Sequence, residues 1–273
     1  GYLVLSGTIT DALIKDITRK LIEYYEGLGF WDNIEKSVPS GVTNPVLTAN
    51  DAGVSNFVAD PHVTEDNGTL YAFYETLGAN KEIGYATSTD HKSWTHQGIA
   101  LSVSQDNLSH PHVFRSGGTW YMTPFGGGSG ISLFTTTDAN FPTGWTKDST
   151  LFDLSTSEKD PVPFEWNGHW YCFFGEEGSG LALFESDTLK GMWSRHPVQN
   201  SESKLAKGDG YESPAGGIIK TSNSVILPVS NTEVFDAQKV ALYEITTLTP
   251  SDLDAHVVPV GAFLKQSGAS GTW

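Results

Sequence analysis

The stretch ADPHVTEDNGTLYAFYET (residues 59–76) returns as SHPHVFRSGGTWYMTPFG at 109–126 and again as KDPVPFEWNGHWYCFFGE at 159–176. Gly68, Gly118 and Gly168 stand 50 residues apart, and so do Tyr71, Tyr121 and Tyr171. Pro61, Pro111 and Pro161 keep the same step, and Pro214 follows 53 residues later. Each copy also carries a late tryptophan: Trp94, Trp145 and Trp193. A period near fifty, built from short strands and turns, is the length of one propeller blade, a single four-stranded sheet.

Inside a copy the pattern is that of a hairpin. HVTEDNGTLYAFYE reads as strand, Asn67-Gly68 turn, strand, and EWNGHWYCFFG repeats it around Asn167-Gly168. An Asn-Gly pair between two strand-forming runs is the strongest short hairpin signal, because both residues tolerate the positive φ of a type I′ turn. IGYATSTD and LALFESD supply third strands, and the tryptophan segments supply fourth strands, with the rings packing between blades. Blades are therefore expected near 56–108, 109–158, 159–210 and 211–257. VVPVGAFLKQSGASGTW then opens a partial fifth, completed either by the N-terminal part or by chain beyond Trp273.

Ahead of the repeats, Leu13, Ile14, Ile17, Leu21, Ile22 and Tyr25 recur at helical spacing, with Thr10 or Asp11 as N-cap and Gly27 as stop. The expected architecture is thus all-β: a five-bladed β-propeller of four-stranded antiparallel blades over 37–273, with an N-terminal α-helix in 1–36. That helix packs on the propeller's side or end, or serves attachment or oligomerisation.

Composition narrows the partners. Of 273 residues, 32 are acidic and 16 basic, for a net charge of -16. Phosphate backbones and anionic membranes need a basic footprint, so neither is expected as a partner. A solvated acidic surface explains the balance, and adaptation to high salt is the sharper alternative. Cys172 is the single cysteine, which rules out an internal disulfide, and its setting in WYCFFG marks it as a small buried hydrophobe. No run approaches the ~20 apolar residues that span a bilayer, and no secretory signal is visible. The compartment stays open, with an extracellular or cell-surface placement favoured.

In a propeller the innermost strand of each blade lines the central channel. An X-Pro pair at its start places residue X at one mouth, so four positions about fifty residues apart converge there. The ring is Asp60, His110, Asp160 and, one place further from its proline in YESPAGG, Glu212. Carboxylates crowded together raise one another's pKa. Glycoside cleavage uses such a group: one carboxylate activates water or attacks carbon, a protonated one serves the leaving oxygen, and a third tunes the acid.

The set ADP, KDP and ESP resembles the five-bladed propeller glycosidases, notably glycoside hydrolase family 43. The resemblance implies Asp60 as general base, Asp160 as pKa modulator and Glu212 as general acid, with inversion at the sugar carbon. A second resemblance runs from Asn44 to Val260. NPVLTANDAG, FVADPHV, LYAFYET, IGYATSTDHKSWTHQGIAL, SHPHVF and VALYEITTLT look like the propeller at the N-terminus of glucosamine inositolphosphorylceramide transferases and their microbial relatives. It departs from that group at Glu212-Ser213, where the group carries a basic residue before the fourth-blade proline.

If inner strands start at the mouth, second strands return to it, and the loops after them border the pocket. They carry Glu75, Phe125 with Gly126 to Gly128, and Glu176 with Glu177. His62, His110 and His112 are candidates for bonding sugar hydroxyls, or else are satisfied within the inner strands. Phe57, Phe125 and Trp31 are candidate aromatic platforms or core residues. FGGGSG lacks the Lys-Ser/Thr of a phosphate loop, and no ligand spacing is diagnostic of a metal. No cofactor is expected, a channel cation such as calcium being the one candidate. STDHKSW resembles the Asp-box turn of sialidases and is read as structural. The leading function is an inverting, exo-acting or furanoside-preferring glycosidase. The alternative is a non-catalytic glycan-binding propeller of a cell-surface, virion or transferase-associated protein, and sugar transfer is a third reading.

Overall fold

The computed structural model describes residues 41–42, 46–54, 56–104, 107–126, 130–153, 158–176, 180–198, 205, 211–231 and 239–258. All of them fall within the compact unit Pro39–Trp273. The first sheet runs β1 (Phe57–Asp66), β2 (Thr69–Leu77), β3 (Lys81–Ser88) and β4 (Thr95–Leu101), each strand antiparallel to the next. The second repeats it with β5 (Leu108–Ser116), β6 (Thr119–Gly126), β7 (Ile131–Thr136) and β8 (Thr146–Phe152). The third contains β9 (Glu158–Trp166), β10 (His169–Glu176), β11 (Gly180–Ser186) and a short β12 (Ser194–Arg195).

The fourth sheet is ordered β13 (Tyr211–Pro214), β15 (Val225–Asn231), β16 (Lys239–Thr249) and β17 (Asp252–Val257). A fragment β14 (Ile219–Lys220) also pairs with β15, so the inner strand of this blade comes in two pieces. Strand meanders of this kind, with inner strands β1, β5, β9 and β13 neighbouring one another in turn, are propeller blades.

The repeat is exact in register. His62 pairs with Phe73, His112 with Thr123 and Val162 with Phe173. The hairpin turns are the expected ones: Asn67 and Gly68 have φ of 49° and 77°, and Asn167 and Gly168 have 51° and 78°. Second strands read as near-continuous apolar runs, such as HWYCFFGE in β10, because each sheet is covered on both faces by neighbouring blades.

Three clusters fill the blade interfaces. Phe73 and Ile83 of the first blade meet Val113, Trp120 and Met122 of the second. Leu133 and Phe152 meet Cys172, Phe174 and Phe184. Phe173 and Leu183 meet Leu227, Val229 and Tyr243. A fully buried ring such as Phe173 contributes about 2–3 kcal/mol by leaving water. Cys172 lies inside the second cluster, and burial pushes its thiol well above the usual range, so it packs rather than reacts. Each late tryptophan immediately precedes a fourth strand. Trp145 meets Phe73 edge-on at 6.2 Å, and Trp193 lies 4.8 Å from Phe152, each contact joining two blades.

Among the described residues there are four blades. The helix over 10–30 and the bulk of the fifth blade fall outside them. One expectation is corrected: Val257 does not open a new blade but pairs with Tyr243 to close β17. The STDHKSW loop is a tight turn built on Asp90, whose Oδ1 accepts from the Lys92 and Ser93 amides at 2.9 and 2.7 Å. These amides hold the Asp90 carboxyl far below its usual range, which is a structural role.

Candidate functional site

All four ring positions occupy the same kind of place: a β-bulge in the innermost strand. The ladder slips between Ala59 and His62, between Ser109 and His112, between Lys159 and Val162, and between Tyr211 and Ser213. In the first three blades the residue before the proline is left-handed, with φ of 49° at Asp60, 42° at His110 and 57° at Asp160. A side chain before proline is pushed towards extended backbone, and a left-handed non-glycine residue costs of order 1–3 kcal/mol. The molecule carries this cost three times at one level of the channel, a pattern that marks functional sites.

Asp160 is where the ring visibly converges. Its carboxylate accepts a hydrogen bond at Oδ2 from Ser213 Oγ of the fourth blade, and its Oδ1 lies 3.8 Å from His110 Nδ1 of the second. Three blades thus meet at one carboxylate that remains partly open to solvent. Ser213 is itself buried, and its carbonyl accepts from Ser230 at 3.2 Å. Asp60 occupies the equivalent bulge of the first blade and is exposed. Glu212 lies in the fourth bulge, and its side chain is outside the described residues. Ser213 was legible as the residue preceding the fourth proline, the place that Asp60 holds before Pro61; attention to the acidic neighbour hid it.

His62 and His112 lie below the ring and face each other edge-on, with centroids 4.6 Å apart. Nε2 of His112 donates to the Pro163 carbonyl of the next blade at 3.0 Å, and His62 takes the Val113 backbone as its partner. Each histidine therefore clasps the open backbone edge of the following blade. Burial lowers His62 to about 4 and holds His112 well below its usual range, so both rings are neutral. Gly217 completes this layer, since a Cβ there would stand 2.6 Å from Cε1 of His62.

The other expected binding residues are placed as follows. Glu75 is buried with Lys81 Nζ at 3.9 Å, and the same ammonium lies 5.7 Å from the centroid of the Phe57 ring. Glu176 accepts from Arg195 Nη2 at 3.0 Å in a cluster with Glu158. Phe125 packs against the core between the second and third blades. Trp31 and Glu177 lie outside the described residues. Among the described residues no three His, Cys, Asp or Glu side chains gather as metal ligands. No helix among them is long and apolar enough to cross a membrane. A channel cavity of about 540 Å3 extends from Pro61 and the histidine layer towards the hairpin turns, on the side of that layer away from Asp60 and Asp160.

The sequence model of the family described as glucosamine inositolphosphorylceramide transferase 1, N-terminal, matches residues 22–273. The chain belongs to this family. Among its relatives in this transferase family, the protein named glucosamine inositolphosphorylceramide transferase 1 from Oryza sativa subsp. japonica is 30% identical over 245 residues. The match covers 83% of this chain and 31% of the rice protein. The Arabidopsis thaliana protein of the same name is 32% identical over 197 residues, 66% of this chain and 25% of that one. The chain thus spans about a third or less of the transferases it matches.

Solved structures share the architecture. A putative glycoside hydrolase from Parabacteroides distasonis superposes with a TM-score of 0.64 at 17% identity, covering 85% of this chain and 84% of the other. A Bacillus subtilis arabinanase gives 0.58 at 17% identity, covering 82% and 84%. At such identities the likeness establishes the propeller fold that this N-terminal transferase family shares with them, and nothing finer.

Proposed function

We propose that this chain is a glycan-directed propeller whose ring carboxylates act on a glycosidic bond, with water displacing the leaving group and inverting the sugar carbon. Asp60 is the general base, Glu212 the general acid, and Asp160 the group that holds the acid's proton and geometry. The carrying observation is Asp160: strained backbone, a hydroxyl donor from the next blade and an imidazole beside it, all at the channel rim. The strain of three bulged positions is expected where preorganisation serves binding or chemistry.

A second reading has its own support. The chain matches the N-terminal family of proteins named as transferases and covers 31% of the rice member. In that reading the propeller binds the glycan, and group transfer is carried by other parts of the larger protein. In either case the proposal includes a fifth blade formed with residues beyond the described ones, a separate helical segment over 1–36 used for attachment or oligomerisation, and an extracellular or cell-surface setting.

A panel of aryl glycosides, including furanosides, decides between them. Hydrolysis is expected from the wild type and a loss of at least about a hundredfold from Glu212→Gln, the usual worth of a general acid. Glycan binding by both proteins with turnover by neither would leave the binding reading standing and remove the hydrolase.

A further inference from the structure

We propose that Asn67 is a site of N-glycosylation, its side-chain amide carrying a covalently attached sugar. The proposal concerns the hairpin turn of the first blade and is independent of the chemistry at the ring. It rests on the cell-surface setting proposed above, because this modification belongs to exported chains. Asn67-Gly68-Thr69 is an Asn-X-Ser/Thr triplet, the acceptor pattern of that modification.

The triplet occupies a closed two-residue turn, with Asp66 paired to Thr69 across it. Asn67 and Gly68 are both exposed, and a Cβ at Gly68 would meet nothing within 4 Å. Roughly 20 Å of extended strand separates Asp60 from Asp66, so a sugar on this turn leaves the ring mouth free. The Asn67 amide Nδ2 donates to Asp66 Oδ2 at 3.0 Å. Glycosylation replaces one of its two N–H groups, and the other can keep that bond. The fold therefore accepts the product without giving up a contact it now makes.

The repeat supplies its own controls. In the third blade Asn167 and Gly168 are also exposed, and their φ of 51° and 78° nearly match the 49° and 77° of Asn67 and Gly68. The third residue there is His169, whose Nε2 donates to Glu185 Oε2 at 2.6 Å, so the hydroxyl of the triplet is missing. In the second blade Gly117 stands where the asparagine would be. Of three equivalent turns, the first alone keeps all three residues. A second triplet, Asn107-Leu108-Ser109, has a setting that does not suit a sugar. Leu108 is buried and pairs with Gly126, and Ser109 Oγ donates to the Phe125 carbonyl at 3.4 Å. A Cβ on Gly126 would stand 1.9 Å from the Asn107 carbonyl oxygen, so this backbone is pressed against β6.

In the transfer step Asn67 Nδ2 attacks the anomeric carbon of a sugar carried on an isoprenoid diphosphate. The C–N bond forms as the C–O bond to the diphosphate breaks. The diphosphate leaves with that electron pair, and Nδ2 gives up one proton to solvent. No oxidant or reductant takes part.

The test is peptide mass spectrometry on the full chain recovered from the cells that produce it naturally, with fragmentation that locates each added sugar. Sugar is expected on Asn67 and on neither Asn107 nor Asn167. Two variants made in the same cells are each expected to lose it completely. Asn67→Asp keeps a turn-forming Asp-Gly pair, and Thr69→Val keeps a β-branched shape without the hydroxyl. Asn67→Asp is expected to leave turnover of aryl glycosides unchanged. A bare Asn67 overturns the proposal, and so does sugar retained in Thr69→Val or found on Asn107 instead. Protease added to intact cells separates the causes. A chain digested from outside with Asn67 bare removes the site and leaves the cell-surface reading, whereas a chain protected inside the cell removes both.

Discussion

Asp60, His110 and Asp160 pose one problem in three copies: a side chain with a Cβ in a conformation suited to glycine, directly before a proline. Glycine at such a position would avoid the Cβ penalty of a left-handed residue, about 1–2 kcal/mol. Each side chain held here therefore costs stability that a glycine would not. The consequence is measurable at Asp60, which is exposed. Asp60→Gly and Asp60→Ala both delete the carboxylate and differ in the Cβ alone. The glycine variant is expected to be more stable by about 1 kcal/mol in urea denaturation, the reverse of the ordinary order for these residues inside a strand. Equal stabilities, or a more stable alanine variant, would show that the left-handed backbone is not under the strain described.

At the scale of the element, the inner strands β1 and β5 are open edges, and the histidines two residues after each ring position close them. His62 carries the clearest energetic signature. Its folded-state pKa of about 4 lies below the unfolded value near 6.5, because burial disfavours the imidazolium. The unfolded chain thus binds the proton more readily. Stability from this group is complete above pH 6.5 and is lost as pH falls towards 4. At 1.36 kcal/mol per pH unit, a drop from 6.5 to about 4 amounts to about 3 kcal/mol. Thermal midpoints measured from pH 7 to pH 4 are expected to fall steeply in the wild type and less so in His62→Gln. Parallel curves for the two proteins would remove His62 as the cause. The positions of these histidines were legible from the repeat. Their role was not, because a clasp onto Val113 and Pro163 depends on which blade edge comes next to which.

For the whole molecule the governing number is the net charge of -16. Like charges spread over one surface repel and favour expansion, and salt screens them: the Debye length shrinks from about 10 Å at 0.1 M to about 3 Å at 1 M. The thermal midpoint is expected to rise across that range, with each 1 kcal/mol gained raising it by about 2–4 °C for a chain of this size. A flat or falling midpoint would show that the acidic residues are already balanced locally, as Glu176 and Glu158 are by Arg195.

The sequence alone determined the blade. Its fifty-residue period, the turns at Asn67-Gly68 and Asn167-Gly168, and the tryptophans ahead of the fourth strands of the first three blades are local facts, and local sterics and hydrophobic periodicity are written residue by residue. It also determined which residues stand at the start of each inner strand. The tertiary structure alone decided what those residues meet: Ser213 and His110 on Asp160, histidines spent on neighbouring edges, and the open cavity on the far side of the histidine layer from the ring. The side-chain contacts among these join positions some fifty residues apart. They depend on how sheets pack about an axis, which no single repeat encodes.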